Sequence, residues 1–283
     1  MIAVKLVAII ALVSLMLDAG LHANAKTLMA TLRDWRMLAR TCLANFVVVP
    51  LVGYLVVHGL QLETFIGVGI LWMAIAPGVP FVARTAGKAA GGNEDLAVDL
   101  TFVLPLLSVV TIPITAQLLL PHAGEAHVPM GLFVTKLLVF QLLPLIIGLV
   151  LAQRAPALSQ TLKRPLAILV FAAVVALLVM LAPSLVRAVG AIQGSRGILA
   201  MMLIVFASLA AGWLLGGDPL ENRHTLSVAT ALRNIGFCMT IAASYPRTTV
   251  ASSVMTYFLV QFILVFVFST GYRRSTRRTH AHA

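Results

Sequence analysis

The chain has 283 residues, 20 basic and 9 acidic, with 60% hydrophobic residues, only 10% charged residues and a mean hydropathy of +1.02. Soluble domains carry about 25% charged and 45–50% apolar residues, so this composition excludes a soluble enzyme, a disordered chain and a disulfide scaffold. Its apolar runs are continuous and do not alternate, which argues against a transmembrane barrel and leaves an all-α, polytopic helical membrane protein. The formal charge of +11 is gathered between apolar runs, as the positive-inside rule requires, and is not read as a nucleic-acid surface.

A helix needs about 20 apolar residues to cross a bilayer. In chain order the pattern predicts nine spans, at about 2–22, 38–59, 63–90, 95–120, 128–152, 165–186, 196–216, 222–245 and 249–271. The links are too short to hold a soluble domain, so residues 1–272 are expected to form a single transmembrane domain and residues 273–283 a basic cytoplasmic tail. With the N-terminus outside, Lys26, Arg33, Arg36, Arg40, Arg84, Lys88, Arg154, Lys163, Arg164 and Arg223 face the cytoplasm, together with Arg273, Arg274, Arg277 and Arg278 of the tail. Only Lys5, Arg187, Arg196 and Arg247 face out. Lys5, the run Leu6–Leu17 and Ala23-Asn24-Ala25 also have the pattern of a signal peptide. Cleavage there would place Lys26, Arg33 and Arg36 outside, against the bias, so the segment is read as the first span. Cys42 and Cys238 lie in apolar runs and are expected to be free thiols.

Two segments break the rules for a lipid-facing helix. Ala76-Pro77-Gly78-Val79-Pro80-Phe81-Val82-Ala83-Arg84 cannot continue a regular helix. Ser227-Val228-Ala229-Thr230-Ala231-Leu232-Arg233-Asn234-Ile235-Gly236 places an arginine deep in a span, where it costs at least about 2.5 kcal/mol. Irregular backbone at membrane depth is tolerated only inside protein or along a cavity. Two interrupted spans in matching places of two oppositely oriented halves point to an inverted-repeat transporter with its site near the midplane. Intramembrane enzymes are disfavoured. The chain has no Asp-rich motif, no paired histidines on one predicted helix and no Gly-x-Ser-x-Gly elbow.

At these residues the chain resembles the bile acid:sodium symporter family. The likeness runs through Ala19-Gly20-Leu21, Asn45-Phe46 with Pro50, Ala76–Pro80, Leu96–Thr101, Leu142–Leu149 and Ala229–Asn234. It implies a nine-helix version of the inverted-repeat fold of the bacterial members, with two crossing broken helices. It also implies a multi-pass protein of the bacterial inner membrane.

The departures from the family pattern bear on the coupling ion. The resemblance implies sodium ligands around the two crossovers. The Ser-Asn pair of the first becomes Val82-Ala83 or Ala83-Arg84, the bridging Glu of the second becomes Ala229, and its Gln becomes Arg233. On the fourth span a Ser-Thr pair becomes Thr101 and Pro105. No cofactor and no metal site are therefore expected, since the ligands that the family offers to sodium are largely absent here. The expected substrate region is Pro77, Gly78, Pro80, Phe81, Arg84, Arg233 and Asn234. The expected coupling-ion region is Asn45, Asp99, Thr101 and Thr230. Arg233, with Arg84, would act as a tethered cation in place of sodium, and guanidinium geometry suits a carboxylate, sulfonate or phosphate. Asp99 is expected to pair with Arg84 or Arg233. The function so expected is sodium-independent secondary transport of a small or amphipathic organic anion, with membrane lipid as the other partner; the alternatives are a sodium-coupled symporter with relocated ligands and a non-transporting sensor or assembly protein on the same fold.

Overall fold

The computed structural model describes residues 2–77, 87, 91–120, 130–193, 196–245 and 247–281. Among these the chain is helical. Helix α1 runs Ile2–His22, α2 Ala25–Arg33 and α3 Trp35–Cys42, and a π-helical stretch Leu43–Val48 joins α3 to α4, Val49–Gly59. The elements α5 (Thr64–Ile75) and α6 (Glu94–Leu119) follow. A second π-helical stretch, Leu138–Leu142, joins α7 (Met130–Leu137) to α8 (Leu143–Arg154). The rest are α9 (Pro156–Gln193), α10 (Gly197–Leu215), α11 (Leu220–Ala231), α12 (Ile235–Ala242) and α13 (Thr248–Ala281).

Six helices among the described residues are long and apolar enough to cross a membrane unaided, and α1 with α2 makes a seventh candidate. The two remaining predicted spans are the interrupted ones. Their pieces are short: α5 has 12 residues, α11 has 12 and α12 has 8. Two other predicted stretches differ in extent. The helix expected at 165–186 starts at Pro156 and runs to Gln193, and the last helix continues past residue 271 through the basic segment to Ala281.

Burial separates core from periphery. Every residue of α5 from Ile66 to Ile75 is buried, as are His224–Ala231 of α11 and all of α12. The lipid-facing side chains come from the long helices: Leu51 and Leu55 on α4, Val110 and Ile114 on α6, Ile147 and Val150 on α8, Phe262 and Phe266 on α13. The broken helices are thus held inside a sleeve of unbroken ones, which is the only arrangement that shields their freed backbone groups from hydrocarbon. Helix α1 belongs to this core through Ala8, Ala11, Leu12 and Met16, and packs on α8, α9 and α12.

One crossing fixes how closely α1 and α8 approach. A methyl group on Gly148 would collide with Leu17 O, Gly20 Cα and Leu21 N, and one on Gly20 would collide with Leu145 O and Leu149 N. The two segments singled out as separate sequence likenesses are therefore the two faces of one backbone-to-backbone contact, made possible by small residues as in other membrane bundles.

Contacts between helix ends sort the links into two sets. At one end, His22–Lys26 and Gln153–Lys163 line one cavity, Asn93 bonds Asn222 and Thr225, and Gly91 packs on Tyr272. At the other, His58–Thr64 lie against Leu118–Leu120, Lys136 Nζ donates to Ser244 Oγ, and Arg247 stacks over Phe65 at 4.7 Å. Among the described residues the links thus alternate between the two ends along the chain.

Candidate functional site

The two interrupted segments meet. Pro77 and Arg233 pair as an isolated antiparallel bridge, and the Asn234 N–H donates to Ala76 O at 3.0 Å. The Arg233 N–H, also released by the break, donates to the Gln261 side-chain oxygen on α13 at 3.1 Å. Asn234 then restarts the helix, its Oδ1 accepting from Phe237 N at 3.0 Å, as a cap residue does. Backbone groups that a break would orphan at membrane depth are thus satisfied by the other break and by α13.

Two buried amides flank this crossing, and each stands in a π-helical stretch. Asn45 lies in Leu43–Val48 and Gln141 in Leu138–Leu142, and both are fully buried. Pro50 and Pro144 follow each stretch at the first turn of the next helix. A proline supplies no N–H to the preceding turn, and the chain absorbs the gap as a π bulge, a feature common at functional sites. Asn45 Nδ2 donates to Thr41 O at 3.1 Å and to Thr230 Oγ1 at 3.3 Å. Its Oδ1 accepts from Arg233 Nη1 at 3.3 Å. On the other side, Asn234 Nδ2 donates to Gln141 Oε1 at 3.1 Å. Gln141 Nε2 donates to Ser108 Oγ at 2.6 Å and Pro105 O at 2.8 Å.

Arg233 is the largest fully buried side chain of the described residues. Among the described residues only Nη1 of its guanidinium finds an acceptor, Nε and Nη2 find none, and no carboxylate pairs with it. The Tyr257 hydroxyl and Gln261 Nε2 are likewise buried with no hydrogen-bond partner among the described residues. Burying a charge is costly unless it is paired, so this centre is a cation with unmet donors surrounded by spare polar groups.

Among the expected site residues, Asn45, Pro77, Thr230, Arg233 and Asn234 are brought together here. Gly78, Pro80, Phe81 and Arg84 lie outside the described residues. Thr101 is buried but turns its hydroxyl to Ala97 O of its own helix, at 2.7 Å. Of the two partners expected for Asp99, Arg84 lies outside the described residues, and no ion pair joins Asp99 to Arg233 among the described residues. The Asp99 carboxylate accepts from Thr27 Oγ1 at 3.1 Å and Thr31 Oγ1 at 2.5 Å, because α2 turns back by 89° from α1 and lays these threonines across α6. Gln141, Gln261 and Tyr257 were not expected. Their signal was present as single polar groups inside apolar runs, which membrane helices rarely carry without a use.

Comparison with family models gives a match over residues 9–195 to the one described as the Sodium Bile acid symporter family, while no curated protein matches the chain. The matched stretch holds Gly20, Asn45, Pro77, Thr101, Gln141 and Gly148 and ends before Arg233. With two broken helices crossing inside a sleeve of long ones and a match over most of its length, the chain belongs to the sodium bile acid symporter family of secondary transporters.

Proposed function

We propose that this protein is a carrier, not an enzyme, and moves a small or amphipathic organic anion by alternating access without sodium. Its place in this reading is a bacterial inner membrane, with the N-terminus outside and the C-terminus in the cytoplasm. The observation that carries the reading is the Arg233 guanidinium, fully buried, without a carboxylate partner among the described residues, and with Nε and Nη2 unmatched. A sodium site gathers several oxygens, usually with a carboxylate, as other hard cations require. The corresponding centre here is already occupied by a fixed positive charge, which repels a mobile cation. The same charge supplies what an anionic substrate needs, namely charge-assisted donors in a dry site. The N-terminus of α12 adds the positive end of its dipole at the same place.

In this mechanism the anion docks beside the helix crossing and accepts from the free guanidinium nitrogens. The Asn45 amide holds Arg233 in register from one side. Gln141 holds Asn234 from the other. Exposure to each face alternates as one group of helices moves against the other around the fixed site.

The test is thermal stability of the detergent-purified protein in sodium against potassium at constant ionic strength, followed by transport in liposomes. A ligand at about 100 times its dissociation constant stabilises a protein by roughly 2.7 kcal/mol, enough to read. We expect no sodium-specific rise, and stabilisation by an organic anion that Arg233→Gln abolishes along with uptake. A saturable sodium-specific rise, or unchanged anion uptake by Arg233→Gln, would overturn the reading.

A further inference from the structure

A second polar feature lies away from the helix crossing. The α1–α2 corner and the α8–α9 corner sit side by side, because the Gly20–Gly148 contact brings α1 and α8 together just before each chain turns. Between the corners is a cavity of about 470 Å³. Its lining includes Lys26, Lys163, His22, Asn24, Gln153 and Ser159. Neither lysine pairs with an acidic side chain among the described residues. The nearby carboxylate of Asp18 is buried, with Oδ1 at 3.6 Å from the His22 Nδ1 that lies 2.9 Å from Asp18 O. The cavity therefore offers two free cationic groups with amide and hydroxyl donors around them, the recognition chemistry of a phosphate.

Its depth in the membrane identifies where that phosphate comes from. Helix α2 stands at 89° to α1, so it lies along the membrane plane. Trp35, the first residue of α3 just past the end of α2, is 69% exposed and carries Arg36 over its ring at 5.6 Å. An exposed tryptophan beside a basic residue belongs at the headgroup level. From the cavity rim an apolar track runs into the bilayer, since Gln153 is one turn beyond the exposed Val150 and Ile147 on α8. Basic pockets between helices at the cytoplasmic surface are suited to anionic headgroups.

We propose that this cavity binds the phosphate headgroup of an anionic phospholipid, with Lys26 and Lys163 as its cationic ligands and the Ile147–Val150 face of α8 carrying an acyl chain. A lipid seated there bridges the two helix corners in addition to the packing of α1 on α8 and α9.

The test uses the full-length protein, stripped of lipid in neutral detergent, with thermal stability and native mass spectrometry as readouts. Phosphatidylglycerol is titrated in mixed micelles, phosphatidylcholine serves as the zwitterionic control, and glycerol phosphate serves as the soluble one. We expect saturable stabilisation by phosphatidylglycerol alone. The double variant Lys26→Gln/Lys163→Gln weakens it on the order of tenfold, while Lys26→Arg/Lys163→Arg and the tail variant Arg273→Gln/Arg274→Gln keep it. Gln153→Glu, at an exposed rim position, gives the same loss by repulsion without touching either lysine. Equal response to phosphatidylcholine, equal loss in the tail variant, or full binding by both cavity variants overturns the proposal. An equal response to glycerol phosphate overturns the lipid as the source and makes the cavity a site for soluble phosphates.

Discussion

Arg233 and Asn45 set the electrostatics of the crossing between them. Among the described residues the guanidinium has one acceptor, Asn45 Oδ1 at 3.3 Å, and that acceptor is neutral. Had the chain placed an aspartate there, the charge would be met internally and nothing would be left for a substrate. Asn45→Asp makes that change with almost no change in shape. It is expected to lower organic-anion affinity by at least tenfold, measured by ligand-dependent thermal shift, because a carboxylate beside Arg233 cancels the charge the anion would meet. Unchanged anion affinity in Asn45→Asp would mean that the substrate is not held by Arg233. The sequence made the importance of Arg233 legible, since a buried arginine costs too much to be incidental. It did not reveal Gln141 or Gln261 as its surroundings. A π bulge inserts an extra residue into a turn, so a face extrapolated at the α-helical period past Pro50 or Pro144 is displaced by about one residue position. The partners that Asp99 has among the described residues, Thr27 and Thr31, were hidden for a different reason: they are distant in sequence and reach it because α2 folds back over α6.

Among the helices, the bundle is organised by where backbones are allowed to touch. The breaks at Pro77 and Arg233 were readable from local chemistry, because proline, glycine and a buried charge each oppose a regular lipid-facing helix. The α1–α8 crossing was not, since Gly20 and Gly148 look alike with every other glycine in an apolar run. Only the fold shows that a methyl group at Gly148 would meet Leu17 O and the Gly20 backbone, whereas one at Gly59 meets nothing within 4 Å. Gly148→Ala must push the two helices apart, an overpacking that costs about 1–3 kcal/mol. Gly59→Ala, at an exposed helix end, should leave stability within about 0.5 kcal/mol of the parent. Thermal unfolding in the same detergent compares the two directly, and equal midpoints would show that α1 and α8 do not meet as described.

Across the whole molecule, charge and connectivity were derived separately and agree on how the helix ends are grouped. Contacts alone put His22–Lys26, Gln153–Lys163, Asn93 and Asn222 at one end and His58–Thr64, Leu118–Leu120 and Arg247 at the other. The first group carries Lys26, Arg154, Lys163, Arg164 and Arg223, and the second Lys136, Arg196 and Arg247. In the proposed orientation the first end is the cytoplasmic one, the side on which the positive-inside rule puts the more basic links. Two single-cysteine variants test this in a background of Cys42→Ser and Cys238→Ser. Gly59→Cys sits at an exposed position of the second end and Ala157→Cys at one of the first. A membrane-impermeant maleimide added to spheroplasts is expected to label Gly59→Cys at once and Ala157→Cys only after the membrane is opened. The reverse pattern would invert the protein and place the lysine-lined cavity outside. Labelling of both from one side would break the count of crossings, and with it the opposed orientation of the two interrupted helices on which the transport mechanism depends.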